Sequence, residues 1–441
     1  MGIKKYILVF LIFLLAIEGL YAQPKFTNKD YIKALKQVTD IMVNDVTSPV
    51  AASRYYAYIT IASYETMAAF SNTQYISFDG TIYGFHISKP KELTDSFNTS
   101  LSSVLSVYLA GKLFLPSGSS LQLSIDSLEL KYKKIDPKIY EKSLQLANAM
   151  VDQVFAYSKK DGFNKLSGMQ KYTPKNGLGN WQPTPPVFMA PVEPNWGKLK
   201  TFLLDSSTQF KVQPPVAYSD NKNSTFYALT KEVYLFKKNA TIQQQAIANF
   251  WDCNPFAVEQ IGHVEFGLKK ISPGGHWLGI AGIACRQQNL SFSNTVLVHA
   301  LTSITLADAF IACWQEKYSS DRIRPVTVIQ RFFDAKWAPL LQTPPFPEYV
   351  SGHSVASTAA AIVLTKIFGN QLSYTDNTEV EFGIPSKNFK SFNAAATEAS
   401  ISRIYGGIHF RDAIDQGVWL GNQIGLCAIT KLNKQLNKAK F

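Results

Sequence analysis

Helix-prone runs dominate this chain, and strand-like alternation is almost absent. Residues 293–318 read SNTVLVHALTSITLADAFIACWQEKY, one long apolar helix. Residues 28–43 have the spacing of an amphipathic helix, and 53–70 (SRYYAYITIASYETMAAF) of a more buried one. Helical periodicity over 121–158 is interrupted at Asp136-Pro137, and TIQQQAIANFWD resumes it after Thr241. Alternating segments rich in Val and Ile are scarce, so the expected fold class is all-α: packed helical bundles. Between 172 and 215 the texture changes to YTPKNGLGNWQPTPPVFMAPVEPNWGK, whose prolines, tryptophans and glycines predict a long ordered loop.

The N-terminus sets the expected compartment. Lys4 and Lys5 precede the unbroken apolar run ILVFLIFLLAI, and Ala22 offers a small residue at a cleavage point. That pattern predicts a signal peptide over 1–22 and an exported protein, periplasmic or extracellular. No second stretch of twenty apolar residues suggests a membrane span. The net charge of +12 falls by one without the leader. It suits a small anion better than nucleic acid, because no long basic run accompanies it. Cys253, Cys285, Cys313 and Cys427 stand far apart without a CxxC pair, which argues against zinc. Export permits disulfides, yet three of the four sit in apolar helical contexts that also suit buried free thiols. The chain divides into a leader (1–22), an N-terminal helical region (23–290) containing the loop 172–215, and a C-terminal core (291–430).

Three short stretches in that core carry chemistry. In KYSSDRIRP, Lys317 and Arg324 are seven residues apart, which on one helix is about 700° of rotation and a shared face. Pro325 makes Arg324 terminal. In TPPFPEYVSGHSVAS, Ser351-Gly352-His353 precede an Ala/Val/Leu-rich helix. Ser351 can cap it, Gly352 permits close approach to its unpaired amides, and His353 is placed to exchange a proton with a bound anion. In SRIYGGIHFRDAID, Arg403 and His409 would not share a face on a straight helix, but Gly406-Gly407 allow a break that brings them together.

Taken in order, Lys-x6-Arg-Pro, Ser-Gly-His and Ser-Arg-x5-His resemble the signature shared by vanadium-dependent haloperoxidases and type 2 phosphatidic acid phosphatases. The likeness covers residues 297–425 and extends weakly through SRYYAYITIASYETM, WDCNP and SPGGHWLGIA toward the smaller bacterial haloperoxidases. It implies a helical-bundle fold and a vanadate cofactor. Lys317, Arg324, Ser351, Gly352 and Arg403 would then neutralise the vanadate oxygens, His409 would ligate vanadium, and His353 would bond the apical oxygen and handle protons. Five-coordinate vanadium mimics the transition state of phosphoryl transfer, so the same cage would also serve a phosphatase, with His409 as nucleophile and His353 as general acid.

Trp314 and Phe346 resemble the haloperoxidase branch, where such residues wall the halide pocket. The resemblance therefore implies hydrogen peroxide and halide as substrates, iodide first, bromide second and chloride third, with organic acceptors an open matter. The alternatives are an exported acid phosphatase and an oxyanion-binding protein without turnover. The sequence departs from the family twice. Val350 replaces a usual proline, and Ala413 stands where a carboxylate follows the ligand histidine, which points to Asp412 or Asp415 as its orienting partner. Among the other histidines, His276 is a candidate for the site entrance, His299 reads as core, and His86 and His263 carry no signal. Oligomeric state is not legible.

Overall fold

The computed structural model describes residues 26–71, 74–91, 96–261, 264–267, 270–439 and 441. The expected leader and His263 lie outside them. Helices α1 (Asn28–Asn44), α2 (Pro49–Ala68), α3 (Thr99–Phe114), α4 (Gln122–Lys133) and α5 (Pro137–Ser158) form the N-terminal region. Helices α6 (Thr225–Lys238), α7 (Ile242–Phe250) and α8 (Pro273–Gln287) follow the irregular loop. The C-terminal region holds α9 (Phe292–Ser320), α10 (Pro325–Phe332), α11 (Gly352–Phe368), α12 (Phe392–Tyr405), α13 (Arg411–Lys431) and α14 (Asn433–Lys438). The described strands make two small antiparallel hairpins. In one, β1 (Val258–Ile261) pairs with β2 (Val264–Gly267); in the other, β3 (Tyr374–Asp376) pairs with β4 (Lys387–Phe389). The expectation of a helical fold holds.

Local chemistry sets the helix starts. Ser48, Asp136 and Ser272 each accept a hydrogen bond from a first-turn amide, and each precedes a proline at the first helical position. There the missing N–H costs nothing, because that amide has no partner in the helix. SPGGHW is in this way the capped first turn of α8.

The core is built around α9, which packs against α2, α8 and α11. Among the described residues it is the helix long and apolar enough to cross a membrane, and its apolar window is wholly buried in the fold. Helices α11 and α13 pack tightly against each other. A Cβ on Gly421 would come within 2.5 Å of the Val355 carbonyl oxygen, and one on Gly417 within 2.9 Å of the Ser351 carbonyl oxygen. Glycine at one-turn spacing therefore lets α13 press directly on the start of α11.

The loop 172–215 wraps α9. Asp308 on α9 accepts three successive backbone N–H groups, from Phe202 (2.7 Å), Leu203 (2.7 Å) and Leu204 (3.0 Å). Further along, the Val192 carbonyl accepts from Trp314 Nε1 (3.2 Å) and Tyr318 Oη (2.6 Å). The loop thus fixes the helix face that carries Trp314 and Lys317.

Candidate active site

The three sequence stretches converge, one of them by an unexpected route. Helix α9 ends at Ser320, and Asp321 takes a left-handed conformation (φ 51°). Arg324 is the N-cap of the next helix, α10. Lys317 and Arg324 therefore do not share a helix face. The chain reverses between them, held where the Asp321 carboxylate accepts from Asn180 Nδ2 (3.0 Å) and the Tyr172 hydroxyl. The other two stretches behave as read. Ser351 caps α11, and α12 stops at Tyr405 so that Gly407 (φ 76°) can turn the chain and present His409.

A cavity at this point is lined by Trp314, Phe346, Gly352, His353, Arg403 and His409, with Cys253, Asn254, Phe310 and Ile408. Pro49, Pro273 and Pro344 complete the wall. The first two begin α2 and α8, so three helix N-termini, with that of α11, turn their positive ends toward one small space.

Lys317, Arg324 and Arg403 are fully buried. Lys317 Nζ donates to the carbonyls of Pro347 (3.1 Å), Glu348 (3.1 Å) and Val350 (2.6 Å). It therefore shapes the TPPFPEYV loop as well as charging the site. Burial pulls its ammonium down to about 7 and the Arg324 guanidinium down to about 10. Arg324 donates through Nε to the Phe346 carbonyl (2.9 Å) and through Nη1 to the Ile408 carbonyl (3.0 Å) and His409 Nε2 (3.2 Å). Arg403 Nη1 donates to the Trp251 carbonyl at 2.6 Å.

The tautomer of His409 follows from its neighbours. Nε2 accepts from Arg324, so the proton sits on Nδ1, which donates to Glu348 Oε1 at 2.8 Å. Burial, then the nearby Arg324, Lys317 and Arg403 charges, hold His409 well below the ordinary histidine range. The result is a neutral imidazole whose unprotonated Nε2, accepting from Arg324, lies at the cavity. This corrects the expected orienting group. Asp412 is committed to Arg322, at 2.8 Å through both oxygens, and Glu348 is the carboxylate on His409. The same Oε1 also accepts the Phe410 N–H (3.0 Å).

Ser351 N–H is taken by the Ala413 carbonyl (2.9 Å), and the Ser351 hydroxyl accepts from Ser354 Oγ (2.9 Å), which leaves its own proton to donate. Trp314 and Phe346 stand ring to ring at 4.8 Å. Lys317 Nζ and Arg324 Cζ each lie 5.1 Å from the Phe346 ring centre. His276 does not reach the entrance; it is fully buried behind the cavity wall, while His299 is core as expected, bonded to the Thr295 carbonyl (2.7 Å). The four cysteines are free thiols.

Several buried polar atoms of this site have no partner among the described residues: Arg324 Nη2, Arg403 Nε, His353 Nε2 and Asn254 Nδ2. Orphaned donors around an unprotonated ring nitrogen, with cations in excess of carboxylates, fit a small, multiply charged oxyanion.

The matches to known proteins agree with this geometry. The family description "VCPO second helical-bundle domain" matches residues 297–336 and 330–438. A solved bacterial vanadium-dependent iodoperoxidase is 41% identical, with a TM-score of 0.88 over 93% of this chain and 98% of that one. A bacterial vanadium-dependent chloroperoxidase, solved in holo and apo forms, is 17% identical and shares the fold. The holo form has a TM-score of 0.68 over 89% of this chain and 93% of its own; for the apo form the values are 0.66, 88% and 95%. No curated protein matches. At that identity to the iodoperoxidase, over nearly the whole of both chains, the protein belongs to the vanadium-dependent haloperoxidase family and takes vanadate as its cofactor.

Proposed function

We propose that the enzyme oxidises iodide in preference to bromide and chloride, at the wall formed by Trp314 and Phe346. The supporting observation is the placement of an aromatic pair against the donor cage, with two cations over the Phe346 ring. A large, weakly hydrated halide loses little by leaving water for such a site, and iodide is the easiest halide to oxidise. The iodoperoxidase similarity points the same way.

Bound vanadate supplies the Lewis-acid centre at which peroxide is activated. His409 Nε2 would hold it, with Arg324, Arg403, the Ser351 hydroxyl and the Gly352 amide on its oxygens and Lys317 balancing charge. His353 would handle the proton of the overall reaction, in which halide, hydrogen peroxide and a proton give hypohalous acid and water. Its imidazole bonds the Trp251 carbonyl, and its free Nε2 suits transfer to and from a ligand in the cavity. Export to the periplasm or beyond rests on residues 4–22 alone.

The test is triiodide formation by metal-stripped protein given peroxide and iodide, with and without orthovanadate, beside a sample given a chromogenic phosphate ester. Vanadate-dependent triiodide is the expected result. Ester hydrolysis blocked by vanadate, without triiodide, would assign the cage to a phosphatase.

A further inference from the structure

The three-part signature leaves one side of the cage unassigned: the segment Trp251–Asn254, which follows α7. Its first residue offers a carbonyl that accepts from Arg403 Nη1 (2.6 Å) and holds the His353 ring. One backbone oxygen thus orients both a cation and the proton-handling histidine. Its last residue, Asn254, lines the cavity and is buried. The Phe256 N–H donates to Asn254 Oδ1 (3.1 Å), which fixes the amide's orientation and leaves Nδ2 as the unpartnered end. An unpaired amide N–H out of water is costly unless something accepts from it.

A buried cluster pins this segment from behind. The Trp251 indole stacks on the His276 imidazole at 4.7 Å and 20°, and its Nε1 donates to Glu398 (3.0 Å). His276 Nε2 meets Asp376 Oδ2 at 2.8 Å, and Nδ1 meets Glu379 Oε1 at 3.2 Å and Cys253 Sγ at 3.3 Å. Thr378 braces the other Asp376 oxygen through its N–H (3.0 Å) and hydroxyl (2.7 Å). The Asp376 carboxylate outweighs burial and raises the His276 pKa well above the ordinary range, and both ring nitrogens have partners.

We infer that Trp251–Asn254 is a fourth wall of the anion cage, in which the Asn254 amide donates to the bound oxyanion and the His276 cluster holds that amide and the Trp251 carbonyl in place. Asn254 is then a binding residue, and His276, Asp376 and Glu379 are positioning residues. This rests on the cage reading above.

Vanadate binding to metal-free protein, titrated by calorimetry beside melting curves, tests it. Asn254→Ala should weaken binding about tenfold or more, as expected for a lost hydrogen bond to a charged group. Its Tm should change little, because losing the Phe256 bond is offset by removing an unpaired amide N–H. Asn254→Asp keeps the shape and the Phe256 bond but turns the donor into an acceptor, so it should bind vanadate still more weakly. Asp376→Asn should weaken binding at least about threefold, less than the 10–100-fold typical for groups bonded directly to a metal ligand. Wild-type affinity in Asn254→Ala overturns the amide's role; should that variant not fold, Asn254→Asp decides alone. Wild-type affinity in Asp376→Asn overturns the positioning role. A wild type that binds no vanadate overturns the cage reading itself, and this inference with it.

Discussion

Two buried regions of this molecule handle charge in opposite ways. Near the N-terminal bundle, Arg54 on α2 meets Asp161 through Nε (3.0 Å) and Nη2 (2.5 Å), and also donates to Tyr58 Oη (2.6 Å) and the Lys200 carbonyl (3.1 Å). In the cage, Lys317 and Arg324 share Glu348, which already serves His409 and lies 3.4 Å from Arg322, while Arg403 has Asp252 near it, a carboxylate already paired with Lys270. Arg54 also leaves Nη1 unpartnered, so an orphaned nitrogen alone does not separate the two regions. Charge balance does. A matched ion pair in a core is part of the scaffold, whereas buried cations in excess of carboxylates declare an anionic guest.

The largest expected effect breaks the guest's attachment. His409→Ala removes the unprotonated Nε2, and vanadate-dependent triiodide formation should vanish; retained activity would sink the ligand assignment. Next come the matched and unmatched arginines. Asp161→Ala leaves Arg54 buried without its counter-ion, and denaturant unfolding should show a loss of about 3–5 kcal/mol with vanadate affinity unchanged. Arg403→Gln should reverse the pattern, with stability held and vanadate bound about 10–100-fold more weakly. If both variants lose stability alike, the contrast between the regions fails.

Smaller effects sharpen it. Glu348→Gln should cost about 10–100-fold in vanadate affinity, because the group that sets the His409 tautomer is weakened, and Asp415→Asn should cost nothing. The His276 imidazolium belongs to the matched class. Its folded pKa is raised, so its stabilisation is complete below the unfolded histidine value and is lost as pH rises through the folded one. The stability gap between wild type and His276→Gln should therefore be widest at neutral to acid pH and narrow in the alkaline range. Smallest is Phe346→Leu, expected to change iodide kcat/KM about threefold while leaving vanadate affinity alone, since an aromatic contact contributes about 0.5–1.5 kcal/mol.

What the sequence disclosed follows from range. Helices are local, so 28–43 and 293–318 were legible to within a few residues, and the Asp136-Pro137 break proved to be a cap and a first-turn proline. The residues that converge on the cavity stand out in the sequence because they sit in three compact motifs. Contacts between distant segments were hidden. Nothing local says that Glu348 meets His409 across 61 positions, or that His276 meets Asp376 across 100. The Lys317–Arg324 geometry misled because a continuous helix was assumed where Asp321 reverses the chain. The seam of α13 on α11 was written in Gly417, Gly421 and Gly425, at a spacing whose meaning depends on which helix faces them.

The most direct measurement is a crystal structure of the protein soaked with orthovanadate. The account predicts vanadium on His409 Nε2, with its oxygens within hydrogen-bonding distance of Arg324, Arg403 and the Gly352 amide, and the Arg54–Asp161 pair undisturbed. Vanadate held elsewhere, or in this cavity without a bond to His409, would contradict it.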